Sequence, residues 1–456
     1  MTGRPAESAP SWWISPPERA RRLLERVPAG FQRIARATGW HMVGHVARLI
    51  TGLLVGIYVA RYLGPEAYGV LNYAISFALL FSALARLGLG DIIVRELVAH
   101  PDREAETLGS AFALQVASGT LALGLAAAAA WATQADATTR LMIVVIAGGV
   151  FFDAMSAPAE WFKSKVLARP VVLAGLIGTG VASVLRVVFV ILGKPVIWFA
   201  WPALIEAVVT TALIVAFYRR YPSPPLASWR PYLERMGGLL AHSWPLALSG
   251  GLVVIRQRID QVMIGEMLGP IEVGWYAVAA RLSLLWHFVP FALATAAFPA
   301  IVRARETSGK LFEARMQMFF DLMLWLAVAI ALPATLIAEP LVRFLYGDAY
   351  APSALILQIH IWSLVFTSLG IAAGRWLIAE GLTRIVLSLS VMSVAGNILF
   401  NLILIPRYGA VGSAWATLVA ASLVLIWRFS YGPTRPAAVM MLKALAAPLR
   451  AVMRLS

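Results

Sequence analysis

Leu63-Gly64-Pro65-Glu66-Ala67-Tyr68-Gly69 and Leu268-Gly269-Pro270-Ile271-Glu272-Val273-Gly274 are the two stretches that decide the fold. Both read LGPxxxG. Each lies between two long apolar stretches, and Tyr73-Ala74 and Tyr276-Ala277 follow at slightly different offsets. Gly-Pro ends a helix and turns the chain, so each heptapeptide reads as a tight interhelical loop. The same loop at matching places in two halves marks an internal repeat.

Outward from these loops, apolar runs recur at the length that crosses a bilayer as a helix. They predict twelve spans, at about 41–62, 70–90, 109–131, 141–161, 171–192, 196–218, 239–263, 274–300, 316–338, 351–378, 385–405 and 413–430. Polar or Pro/Gly-rich loops separate them, among them HPDREAE after span two, RRYPSPPLASWRP after span six and EPLVRFLYGDAY after span nine. The chain is 60% hydrophobic and only 13% charged, whereas soluble domains are nearer a quarter charged. The fold class is therefore an all-α polytopic membrane protein.

The longest polar linker, 219–238, divides two six-span bundles, 41–218 and 239–430, flanked by basic tails over 1–40 and 431–456. An even number of spans per half gives the halves one orientation and a pseudo-twofold axis along the membrane normal. Odd-numbered loops hold Arg140, Lys194, Arg343 and Arg407, while the tails and even loops hold nearly all other basic residues outside the spans. By the positive-inside rule both termini are cytoplasmic. Residues 17–38 read either as a basic amphipathic helix on the anionic inner leaflet or as an orientation-setting tail. The first forty residues lack the apolar region of a cleavable signal.

Net charge is +15, but it sits in loops and tails, and no basic stretch carries a nucleic-acid motif. With no cysteine in the chain, disulfides and thiolate metal sites are excluded. There is no hydrolase elbow, P-loop, HExxH or clustered metal ligand set. An embedded glycan-assembly enzyme would need an acid/base constellation, usually with a sizeable loop, and neither is present.

Eight arginines and no lysine lie inside the spans: Arg48, Arg61, Arg86, Arg186, Arg256, Arg258, Arg281 and Arg375. A guanidinium at the bilayer centre costs at least about 2.5–3.5 kcal/mol on insertion scales, so such residues face partners or water. Their planar fork matches phosphate oxygens in pairs. The set points to an anionic, phosphate-bearing lipid substrate. Arg48, Arg186 and Arg281 read as lumenal. Arg256 and Asp260 are i, i+4 and can pair with one another, and Arg258 points elsewhere on that helix. Arg61, Arg86 and Arg375 lie near span ends, where snorkelling is the alternative.

The intramembrane acids Asp153, Glu206, Asp260 and Asp321 are either charge partners or sites that bind H⁺ or Na⁺ during transport. For Asp260 the pairing with Arg256 is the preferred reading. Span one carries His41, Gly44, His45, Arg48, Gly52 and Gly56 on one stripe; its glycines read as helix-packing positions. Spans ten and eleven have stripes of His360, Ser363, Thr367 and of Ser390, Ser393, Asn397, Asn401.

The segments ARYLGPEAYGVLNYAISF (60–77), GLGDIIVRELVAH (88–100), RQRIDQVMIGEMLGPIEVGWYAVAARL (256–282), VRFLYGDAY (342–350) and NILFNLILIPRYGAVGSAWAT (397–417) carry a resemblance. In that order they resemble the polysaccharide-biosynthesis flippases of the multidrug/oligosaccharidyl-lipid/polysaccharide exporter superfamily. The resemblance implies two six-helix bundles around a cavity that opens alternately to either side. It implies transfer of undecaprenyl-pyrophosphate-linked oligosaccharide between leaflets of the bacterial inner membrane, for polysaccharide, O-antigen or lipopolysaccharide assembly, alongside a polysaccharide polymerase. Cavity cations would hold the pyrophosphate: Arg48, Arg256, Arg258 and Arg281, with Arg86 and Arg186 behind them. Lipid II relatives carry two further spans, and drug-exporting relatives use acids in the first bundle; span one here has an arginine. Another amphiphile remains the alternative substrate. No cofactor is implied beyond a coupling ion.

Overall fold

The computed structural model describes residues 29–133 and 135–447. The amphipathic segment expected over 17–38 lies mostly outside them; a helix begins at Ala29 and runs unbroken into span one. Among the described residues, ten helical segments are long and apolar enough to cross a membrane. Two of the ten are double passes. Gly64 (φ 69°, ψ 174°) breaks Ala29–Leu80 into spans one and two, and Gly409 (φ 65°, ψ −149°) breaks Thr383–Ser430 into spans eleven and twelve. A Cβ is disfavoured at such positive φ, which is why glycine stands at both corners. The expected twelve passes are therefore all present.

Each bundle closes on itself. Span one packs on span five, span three on four, and span five on six; span seven packs on the helix that carries spans eleven and twelve, and nine on ten. The deepest contact between the bundles joins Ala29–Leu80 to Pro270–Leu284. There the heptapeptides meet reciprocally. A Cβ on Gly69 would fall onto the Pro270 carbonyl, and one on Gly274 onto the Pro65 carbonyl. Nearby, the Tyr73 hydroxyl bonds Glu266, the Ser76 hydroxyl donates to Gln261 at 2.7 Å, and the Tyr350 hydroxyl donates to the Ala60 carbonyl at 2.8 Å. Arg61, expected near a span end, donates to the Phe344 carbonyl of the other bundle.

The cores follow this arrangement. One core is shared by both bundles at the heptapeptide end, with Tyr68, Tyr73, Phe199, Tyr276, Tyr346 and Tyr350. Toward the linker end the core splits. Leu89, Ile93, Trp161, Phe162 and Tyr218 build one arm, and Phe312, Phe320, Met323, Leu364 and Trp376 build the other. The molecule is thus a V, sealed at the heptapeptides and divided toward the linker except along span seven, whose Leu239 and Ala247 pack on the first bundle.

The linker is a strap laid on the first bundle. The Tyr232 amide donates to Ser110 Oγ at 3.1 Å, and the Tyr218 hydroxyl donates to the Pro224 carbonyl at 2.8 Å. Gly109 lets the Arg230 backbone approach to 2.6 Å of where a Cβ would stand. The segment after span twelve contributes a helix, Arg435–Leu445. Trp325 and Gln317 of span nine hold it by donating to the Ala444 and Met440 carbonyls at 2.9 and 3.0 Å. Span four starts at a side-chain cap: Asp136 accepts from the Thr138 and Thr139 amides, each at 3.2 Å. These bonds, led by that from the Thr139 hydroxyl, hold the Asp136 carboxyl below its ordinary range.

Candidate substrate cleft

Span one lacks side chains at Gly52 and Gly56, one helical turn apart, and the bare groove seats Arg281 of the opposite bundle. Its guanidinium donates to the Gly52 carbonyl at 2.6 Å and to the Tyr68 hydroxyl at 3.1 Å. Any Cβ at Gly56 would collide with it. The expected helix-packing role of these two glycines is thereby corrected: they receive a charged side chain rather than another backbone. Arg281 bridges the bundles just below the seal.

From Arg281 a charged ridge runs into the first bundle. Arg186 of span five lies close enough to Arg281 to feel its charge and stands 3.7 Å from Glu206 of span six. Glu206 accepts from the Thr179 hydroxyl at 2.7 Å, which fixes its position. Asp153 shares the field of Glu206 and lies 3.9 Å from Arg86. Arg86 and Asp153 keep 62% and 49% of their side-chain surface exposed. Ionised groups inside spans do not face hydrocarbon, so these face water in the cleft. On the other side of Arg281, Arg258 adds a third cation within reach. Arg281 thus stands within charge range of Arg186 in the first bundle and Arg258 in its own, and the ridge holds two carboxylates, Glu206 and Asp153.

Arg48 is half-buried between spans one and five; its Nη1 would stand 3.2 Å from a Cβ on Gly175. Arg256 is exposed on span seven. Arg375 lies over the Phe298 ring at 4.9 Å. A further span arginine escaped the sequence reading: Arg428, near the end of span twelve, is 5% exposed, and its Nε and Nη1 meet no partner among the described residues. Its closeness to the basic tail disguised it.

The expected Arg256–Asp260 pair does not form. No ion pair within 4.0 Å joins them; Asp260 is 5% exposed inside the second bundle, while Arg256 is exposed and only feels its charge from a distance. Asp260 is satisfied by neutral donors from three other spans. The Tyr276 hydroxyl reaches it at 2.6 Å, Asn401 Nδ2 at 2.6 Å and the Thr417 hydroxyl at 3.0 Å. Helical spacing allowed the local pair, but the carboxylate's face of the helix packs inward. Around it, Asn401 Oδ1 and Ser413 Oγ are buried with no partner among the described residues. A hard cation takes oxygen ligands of these kinds.

The other candidates stand apart from this geometry. Asp321 accepts from Gln317 at 2.7 Å beside the last helix, away from the ridge. His41 is exposed on span one, His45 stacks obliquely on Phe288 at 5.4 Å, and His360 lies edge-on to Tyr276 at 5.8 Å.

A family model described as "Polysaccharide biosynthesis protein" matches residues 34–305, and one described as "MatE" matches 245–403. The chain is 25% identical over 419 residues to the probable flippase AglR of Haloferax volcanii, covering 86% of this chain and 82% of the relative. It is 19% identical over 417 residues to a putative O-antigen transporter of Shigella flexneri, covering 87% and 98%. Among solved structures it shares the fold of lipid II flippase MurJ in an inward closed conformation, with TM-score 0.65, 13% identity, and 89% and 91% coverage.

Proposed function

Because the chain belongs to the polysaccharide biosynthesis protein family, we propose that it carries undecaprenyl-pyrophosphate-linked oligosaccharide units across the bacterial inner membrane by alternating access. At the coarser level it is a multi-pass membrane transporter of glycan biosynthesis rather than an enzyme. The finer reading is carried by one observation: Arg281 of the second bundle reaches into span one of the first, within charge range of Arg186 and of Arg258. Such a cluster is costly unless an anion joins it, and a pyrophosphate offers two phosphate groups to pair with guanidinium forks.

A polar cleft lowers the cost of moving a glycan across hydrocarbon, where each bare polar group costs kilocalories. The polyprenyl tail stays in lipid. With both termini cytoplasmic, the divided end of the V faces the cytoplasm and the heptapeptide seal faces the periplasm. Loading then occurs from the inside, and release requires the seal to open. Units delivered outside feed polysaccharide or O-antigen assembly and a polymerase. The Asp260 pocket is the place for a coupling H⁺ or Na⁺, since it joins a buried carboxylate to spare oxygen ligands.

The test is a flipping assay in proteoliposomes holding a fluorescent undecaprenyl-pyrophosphate oligosaccharide. Protein-dependent loss of inner-leaflet label that disappears with Arg258→Glu is the expected result. Transfer unaffected by that charge reversal would remove the arginine cluster from the pathway.

A further inference from the structure

Resting on the flippase reading, we propose that the glycan this chain carries has no acidic sugar, and that Asp153 and Glu206 exclude one. The ridge is electrically lopsided. Its second-bundle side supplies Arg258 and Arg281 with no carboxylate within ion-pair range among the described residues. Its first-bundle side alternates sign: Arg86 with Asp153 at 3.9 Å, and Arg186 with Glu206 at 3.7 Å. The lipid's diphosphate is matched by the second-bundle side, with Arg186 at its edge. The sugars, attached beyond it, are left to the first-bundle side.

That first-bundle wall is polar, and beyond Arg48 its charges are paired. Neither pair closes into a hydrogen bond, so guanidinium donors and carboxylate lone pairs remain available across the gap. Sugar hydroxyls donate and accept, and can insert between such groups without adding charge. A uronate cannot. The carboxylates of Asp153 and Glu206 share one field, and a third carboxylate beside them is repelled by both. The two arginines that would attract it are already screened by those carboxylates. An unmatched charge built against a wrong partner is one of the routes by which a site gains specificity.

The experiment compares two fluorescent undecaprenyl-pyrophosphate trisaccharides in proteoliposomes of the full chain. They differ only at C6 of the terminal hexose, hydroxymethyl in one and carboxylate in the other. The wild type is expected to move the neutral lipid at least about tenfold faster, the factor that corresponds to 1.4 kcal/mol. Glu206→Gln and Asp153→Asn should narrow that ratio by raising transfer of the acidic lipid. Equal wild-type rates, or a preference for the acidic lipid, would overturn the proposal without touching the flippase reading, and need no variant. Variants that lose both lipids equally while remaining monodisperse would assign the carboxylates to arginine neutralisation and overturn their selective role. Failure of the wild type to move either lipid sinks the flippase reading itself, and this inference with it.

Discussion

Superimposing the two heptapeptides in register sets Thr51, Leu53 and Val55 of the first repeat against Arg256, Arg258 and Asp260 of the second, and Ser76 against Arg281. The scaffold is the same. Gly69 meets Pro270 as Gly274 meets Pro65. Arg281 lies over Gly56 just as its counterpart Ser76 bonds Gln261, the counterpart of Gly56. The chemistry is not the same. One repeat keeps the interface apolar and small, and the other fills the equivalent positions with charge. Duplication supplied a symmetric hinge, and divergence placed the cations of spans seven and eight on one side of it. Symmetric sites would put unpaired cations on both walls and leave no ion-paired wall for neutral sugar.

The largest expected effect comes from breaking what the repeats share. Gly69→Val puts side-chain atoms onto the Pro270 carbonyl, and overpacking of that kind costs about 1–3 kcal/mol. That cost falls on the sealed state alone, so flipping should drop by roughly tenfold or more. Distances between spin labels on the two heptapeptides should lengthen. A variant with wild-type distances and wild-type flipping would show that the seal is incidental.

Next come the residues in which the repeats differ. Arg258→Lys should retain part of the flipping activity, because charge is kept and only the fork is lost. Arg281→Lys should retain less, since an ammonium cannot span the Gly52 carbonyl and the Tyr68 hydroxyl as the fork does. Flipping rates of the two variants, measured side by side, decide it; equal rates would deny Arg281 its bridging role.

The third concerns span seven. Arg256→Ala should leave thermal stability within about 0.5 kcal/mol, the usual range for an exposed residue with no hydrogen bond or ion pair among the described residues. Asp260→Asn should fold, because its neutral donors can re-pair with an amide, yet lose dependence on a Na⁺ or H⁺ gradient. Strong destabilisation by Arg256→Ala alone would restore the ion pair that the geometry denies.

The smallest effect is local. Asp136→Ala removes the cap of span four and should cost about 1 kcal/mol. Because folding holds this carboxyl below its ordinary range, its contribution is full above the unfolded pKa and fades as pH falls through the lower folded value. Wild type and variant should therefore converge in melting temperature at acidic pH. A difference that persists unchanged there would mean the cap acts without its charge.

Twelve spans, two bundles and the repeat were legible because apolar length and Gly-Pro turns are local properties of a chain that must satisfy its backbone inside a bilayer. The arginines were legible for the same reason: a charge in an apolar run is anomalous wherever it points. Their partners were not. Asp260 stands one turn from Arg256, and only the packing of spans eight, eleven and twelve decides that Tyr276, Asn401 and Thr417 reach it first. Gly52 and Gly56 read as a packing stripe until Arg281, more than two hundred residues away, occupies it. Arg428 passed for part of a basic tail until the tertiary structure buried it. Helical period fixes which residues share a face; which face meets which bundle depends on contacts between distant segments, and those exist only once the chain is folded.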